Sequence, residues 1–171
     1  MVTFVLTILG DDRPGLVSAL SAPINAHGAS WERSQMSRLA GKFAGIAVVS
    51  VADERYDALV ADLDALADTG LQIVRERTDD TAERESLRFT LDLLGSDRPG
   101  IVADISATLA DLDVNIEELS TDVRDAPMAG GTLFEAHAVL DAPPTTSSEA
   151  LSGRLEQLAD ELMVDITLST E

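Results

Sequence analysis

Residues 6–24 read LTILGDDRPGLVSALSAPI, and residues 91–109 read LDLLGSDRPGIVADISATL. At a constant offset of 85 residues, 10 of these 19 positions are identical, and four of the other nine exchange Leu for Ile. The correspondence runs on through Trp31-Glu32 opposite Ile116-Glu117. After a six-residue insertion it resumes, with Phe43 opposite Phe134 and Ala47-Val48 opposite Ala138-Val139. Two copies of one unit of about 80 residues account for this, each near the lower size of an independent domain. The expected units are 1–77 and 86–171. They are joined by 78–85, TDDTAERE, a charged run without apolar periodicity.

Inside each copy the apolar spacing alternates between two periods. Val2, Phe4, Leu6 and Ile8 recur at every second position, as do Leu87, Phe89, Leu91 and Leu93, so each set lies on one face of a strand. Each strand ends at a glycine, Gly10 or Gly95. Pro14 or Pro99 then suits the first turn of a helix, where a missing N–H needs no partner. Leu16, Leu20 and Ile24 stripe the first helix, and Ile101, Ile105, Leu109 and Leu112 stripe its counterpart. Pro23 inside the first stripe predicts a kinked or shortened helix.

Strands at 29–36 and 43–51, a helix from Asp53 and a strand at 71–75 complete the first copy. Strands at 114–123 and 132–140, a helix carrying Leu151, Leu155, Leu158 and Leu162, and a strand at 164–168 complete the second. Thr146-x-x-Glu149 reads as the capping box of that last helix. The order is βαββαβ, twice. The expected fold is therefore α+β: two ferredoxin-like units, each a four-stranded antiparallel sheet with two helices on one face.

Composition narrows the function. The 171 residues include 31 acidic and 12 basic side chains, a net charge of −19. Residues 1–85 carry 14 acidic and 8 basic groups, and residues 86–171 carry 17 and 4, so the halves stand at −6 and −13. Such a chain lacks the Lys and Arg that displace counterions from phosphates, which argues against nucleic acid as a direct partner. Apolar residues at 45% still suffice for a core. The absence of cysteine excludes disulfides, thiol nucleophiles and cysteine metal sites. Met1–Gly10 is apolar but meets Asp11 and Asp12 without a basic leader, and no apolar stretch approaches the roughly 18 residues that span a bilayer. No membrane partner and a cytoplasmic location are expected.

Signals for catalysis are sparse. His27 and His137 come from different copies; Glu135 and His137 share a strand face but lack a third metal ligand. His137 reads as a partly buried sheet residue and Trp31 as a packed one. Gly41-Lys42 lacks the rest of a phosphate loop, and no Ser/His/Asp set is suggested by spacing. Residues 126–131, APMAGG, read as a hairpin tip. No catalytic residue, metal or cofactor is expected.

A βαββαβ unit whose first strand ends in Gly-x-Asp-Arg-Pro-Gly-(Leu/Ile)-Val, with Asn-Ile-Glu about fifteen residues on, resembles an ACT domain, the amino-acid-sensing regulatory module. Gly95–Val102 and Asn115-Ile116-Glu117 supply both parts in the second copy; Gly10–Val17 supplies the loop in the first, with Ser30-Trp31-Glu32 at the other place. The resemblance covers nearly the whole chain, and at this length it extends to tandem ACT regulators of glycine cleavage genes. It implies a ligand at an interface between two ACT units, the loop of one facing the strand of the other. The positions carried over are Asp12, Arg13, Pro14, Gly15, Leu16, Val17, Asp97, Arg98, Pro99, Gly100, Ile101, Val102, Asn115 and Ile116.

The chemistry is consistent with that implication. A helix N-terminus offers unpaired N–H groups and partial positive charge to a carboxylate, and an Asn amide oxygen accepts from an ammonium group. The same residues also fit a purely local account, in which Asp12 and Asp97 stabilise helix starts, Pro and Gly shape turns and Asn115 bonds its own backbone. Ser30 reaches less far than Asn115, so one strong site is expected rather than two equal ones. The resemblance thus implies a non-enzymatic regulator that binds a small amino acid, glycine first, and acts on glycine cleavage genes through a protein partner, as a homo-oligomer, in all expectation a dimer. The alternative is a ligand-free interaction module that acts by dimerisation or by binding an enzyme.

Overall fold

The computed structural model of the chain describes residues 1–78, 85–126 and 130–170. The chain divides into two compact units, Met1–Ala82 and Glu83–Glu171. The expected linker 78–85 lies almost wholly outside the described residues, as does the centre of the 126–131 tip.

The first unit runs β1 (Val2–Asp11), α1 (Leu16–Ala26), β2 (Ser30–Leu39), β3 (Lys42–Val51), α2 (Asp53–Ala65), a single 3₁₀ turn (Leu66–Thr69) and β4 (Gln72–Arg77). The second runs β5 (Leu87–Ser96), α3 (Ile101–Asp111), β6 (Asn115–Asp125), β7 (Thr132–Ala142), α4 (Ser148–Leu162) and β8 (Val164–Thr170). Strand orders are β2-β3-β1-β4 and β6-β7-β5-β8, and every pairing is antiparallel. Each unit is thus the expected ferredoxin-like sheet.

The period-2 pattern decides which sheet face is covered. Phe4, Leu6 and Ile8 of β1 join Ala47, Val49 and Val51 of β3 in the first core, beneath Leu16, Leu20 and Ile24 of α1 and Leu59 and Leu63 of α2. Phe89, Leu91 and Leu93 play the same part in the second unit, beneath Ile101, Ile105 and Leu109 of α3 and four leucines of α4. Burying each such large side chain stabilises the fold by about 1.5–3 kcal/mol, which outweighs the modest helix propensity of sequences this rich in Asp. Among the described residues, neither helix of a unit packs on the other face of its own sheet.

Three local expectations are corrected. The helices begin at Leu16 and Ile101, not at the prolines, because Pro14-Gly15 and Pro99-Gly100 are spent on a turn. Pro23 does not shorten α1, which has the same 11 residues as α3; the ring gives up the bond to the Ala19 carbonyl, and the helix continues to a bond from His27 N–H to the Pro23 carbonyl. The N-cap of α4 is Ser147, whose hydroxyl accepts from Ala150 N–H at 3.3 Å, while Thr146 closes a turn onto the Pro143 carbonyl. Both copies also carry a bulge at one equivalent place, beside Glu32 in β2 and Glu117 in β6.

Candidate functional site

Each Asp-Arg-Pro-Gly loop leaves the end of the first strand pinned by a backbone bond. Asp12 N–H donates to the Gly41 carbonyl and Asp97 N–H to the Thr132 carbonyl, both at 2.9 Å. Gly15 and Gly100 then adopt left-handed φ, 91° and 97°, with ψ of 2° and −9°. Proline before a left-handed glycine is the signature of a type II turn, and only glycine takes that third position without strain. The first helical turns close by bonds from Ala19 N–H to the Gly15 carbonyl and from Asp104 N–H to the Gly100 carbonyl. No side chain caps either helix. Two helix N-termini, with their positive ends and first-turn donors, are therefore left to solvent or a ligand.

The positions from sequence divide by orientation. Asp12, Arg13, Pro14, Gly15 and Val17, and Asp97, Arg98, Pro99, Gly100 and Val102, are exposed. Leu16 and Ile101 are 5% and 2% exposed, with side chains in the cores, so they offer a ligand only backbone N–H. A Cβ built on Gly15 meets no atom within 4 Å, so the approach to this turn is open.

The two loops differ in their surroundings. In the first, the Arg13 guanidinium donates to the Thr69 carbonyl and ties the turn to the segment before β4. Arg38 stands 3.5 Å from the Asp12 carboxylate, and Lys42 pairs with Asp11, holding that carboxyl below its ordinary range. In the second, the side chains of Asp97 and Arg98 make no bond to a described residue, and Asp104 occupies the first turn of α3 where α1 has Ala19. The Asp104 carboxylate, 3.9 Å from where a Cβ on Gly100 would stand, offsets the positive end of its helix. Sequence reading passed over Arg38, Thr69 and Asp104, and weighed Lys42 only as part of an incomplete phosphate loop. Only Asp104 was detectable beforehand, by aligning the copies.

Asn115 is exposed at the start of β6 opposite Asp141, and Ile116 beside it packs on the second core. The loop at Asp97 leaves the far end of the same sheet, where Ser96 lies opposite Leu133. Eight residues of β7 separate the two places, about 26 Å at about 3.3 Å per residue. One small ligand cannot touch both within a unit. The first unit has the same layout, with Ser30 opposite Ser50 and Gly10 opposite Phe43.

The open face of the second sheet holds a shallow cleft of about 530 Å³. His137 lies there about half exposed, because its strand position points away from the helices. Its Nδ1 is 2.7 Å from Asp92 Oδ1, and Ser120 is its neighbour on β6. Pairing thus assembles a Ser/His/Asp row that spacing did not suggest. No hydrogen bond joins Ser120 to His137, so the row lacks the nucleophile-to-base contact of a catalytic triad. Glu135 is paired with Arg124, and among the described residues no group of three or more side chains is placed to hold a metal.

Duplicated βαββαβ units that each open a helix behind an Asp-Arg-Pro-Gly turn define a tandem module of the regulatory, amino-acid-binding class. The chain belongs to the ACT domain family, whose model matches residues 2–75 and 88–169. The crystal structure of an unknown protein from Galdieria sulphuraria is 32% identical, with 99% of this chain and 98% of that one covered at a TM-score of 0.88. A candidate glycine cleavage system transcriptional repressor shares the fold at 16% identity and a TM-score of 0.73, with 99% and 97% covered. A UPF0237 protein of Methanopyrus kandleri is 36% identical over 86 residues, 49% of this chain and 88% of that protein. Among the described residues no helix is long and apolar enough to cross a membrane.

Proposed function

We propose that the chain is a non-enzymatic sensor of a small α-amino acid, glycine first, which passes its ligand state to a protein partner that governs transcription of glycine cleavage genes. The observation that carries this reading is the first loop: an uncapped helix N-terminus behind an open left-handed glycine, with no acidic residue in the first turn. Such a turn suits a carboxylate. Asn115 supplies the complementary acceptor for the ammonium group, and the separation of loop and strand start within a unit requires that they come from different ACT units. Loop 12–17 is the stronger candidate for the carboxylate, and Asn115 with Ile116 for the ammonium end. Loop 97–102 is weakened by Asp104, and Ser30 by its shorter hydroxyl. A net charge of −19 favours action through a protein over operator contact, and a cytoplasmic place follows from that role.

Asp104 also favours a second reading for the second loop, as a ligand-free element of an interaction module. Calorimetric titration of the full chain with a panel of amino acids separates the two. Saturable heat with glycine or another small amino acid at millimolar concentration or below is expected; no heat and no thermal shift across the panel leaves only the interaction module.

A further inference from the structure

Strand register lines up cross-strand rows on the face of the first sheet turned away from its own helices. Arg33, Val48, Val5 and Glu76 form one row, and Gln35, Ile46, Thr7 and Val74 form the next. Leu9 and Ala44 centre a third row between Ser37 and Gln72. Ile46, Val74 and Leu9 are 49%, 58% and 42% exposed, so the apolar centre of the face stands open. The three rows hold one cation, Arg33 on β2, and one anion, Glu76 on β4, at opposite edges of the sheet. Neither makes an ion pair with a described residue.

The duplicate supplies an internal control. The same three rows in the second sheet carry Glu118, Asp92, Asp122, Glu135 and Asp165, with no Arg or Lys among them. His137 stands where the first sheet has Ile46. The second sheet presents a solvated, predominantly acidic face, relieved by Arg124 at Glu135, and the first presents a neutral apolar one on a chain of charge −19.

We infer that the face bearing Ile46 and Val74 is a homodimer interface, covered by the same face of a second copy about a two-fold axis that runs along the strands. Sheets stack with their strands nearly aligned, and such an axis exchanges the left and right edges of the sheet while keeping each row at its height. β2 of one copy then lies over β4 of the other. Arg33 meets the partner's Glu76, Glu76 meets the partner's Arg33, and Val48 meets the partner's Val5. Placing opposite charges at the two ends of one row is what a self-complementary surface needs and what an unrelated partner would not. Most other surface of a second copy brings acid against acid. The inference concerns assembly and stands whether or not the chain binds an amino acid.

Sedimentation equilibrium of the full chain, with circular dichroism to verify folding of each variant, tests it. The wild type is expected at twice the 18.1 kDa chain mass. Ile46→Asp and Val74→Asp are expected at the chain mass, and His137→Asp on the other sheet leaves the dimer intact. Arg33→Glu or Glu76→Arg alone weakens the dimer by about tenfold or more, because each places like charges together twice, and the double exchange restores it. A wild type that stays at the chain mass, folded Ile46→Asp and Val74→Asp variants that remain dimers, or a double exchange no better than the singles would overturn the proposal.

Discussion

Gly95 lies so close to Val164 that a Cβ on the glycine would stand 2.3 Å from Val164 Cγ1. The two are register partners across β5 and β8, at the point where the strand gives way to the Asp97 loop. Gly10 is the equivalent residue of the first unit, where the added carbon meets the end of the Leu71 side chain at 3.0 Å. These two glycines serve packing, whereas Gly15 and Gly100 serve the turn.

Gly95→Ala is therefore expected to cost about 1–3 kcal/mol through overpacking. Gly10→Ala should cost less, because a Leu terminus can rotate away and a branched Val on a paired strand cannot. Urea denaturation of the two variants measures this. Adding Val164→Ala to Gly95→Ala should recover part of the loss, a non-additivity expected of residues in contact. Equal losses at the two glycines would contradict the assignment.

The Asp11–Lys42 pair predicts a direction with pH. The hydrogen bond and charge of Lys42 lower the Asp11 pKa from its ordinary 3.8. A lowered folded pKa means that the contribution is complete above 3.8 and is lost as pH falls through the folded value. Carboxyl NMR should show Asp11 titrating below 3.8 in the wild type and returning toward it in Lys42→Ala. An unchanged titration would show that the pair does not persist in solution.

The loops should respond in opposite senses to one exchange. Ala19→Asp places a carboxylate in the first turn of α1 and should weaken amino-acid binding about two- to fivefold, the reach of one charge at a helix end. Asp104→Ala should not weaken it. Calorimetry of both variants against the wild type decides. Loss on Asp104→Ala would move the principal site to the second loop.

At the start of α4, Ser147→Ala removes the side-chain acceptor for Ala150 N–H and should cost about 1 kcal/mol in thermal or urea unfolding. Thr146→Ala should cost less, since the Thr146 contact to Pro143 is made by backbone. The reverse order would restore the Thr146–Glu149 box that the sequence suggests.

The strands, the helix stripes and the duplication were legible because they rest on periods, which are local and survive in Phe4-x-Leu6-x-Ile8 and in Leu151, Leu155, Leu158 and Leu162. Helix starts were less so. Pro14 is compatible with a first helical turn and with a turn just before one, and only the left-handed Gly15 separates them. Thr146 and Ser147 are both good caps, and backbone geometry selects between them. The separation of Asn115 from the Asp97 loop, the exposure of His137 and the row from Arg33 to Glu76 all depend on register between strands distant in sequence. No short-range pattern records that register, although comparing the copies would have exposed Asp104 opposite Ala19.

The central claim is that glycine or another small amino acid sits between an Asp-Arg-Pro-Gly turn and Asn115. It is tested most directly by titrating glycine into ¹⁵N-labelled full-length protein and following the amide resonances. Saturable shifts at Gly15, Leu16 and Val17 together with Asn115, abolished by Asn115→Ala, are the predicted result. Saturable shifts confined to residues outside both loops and β6, or no shifts at millimolar glycine or any other small amino acid, would contradict it.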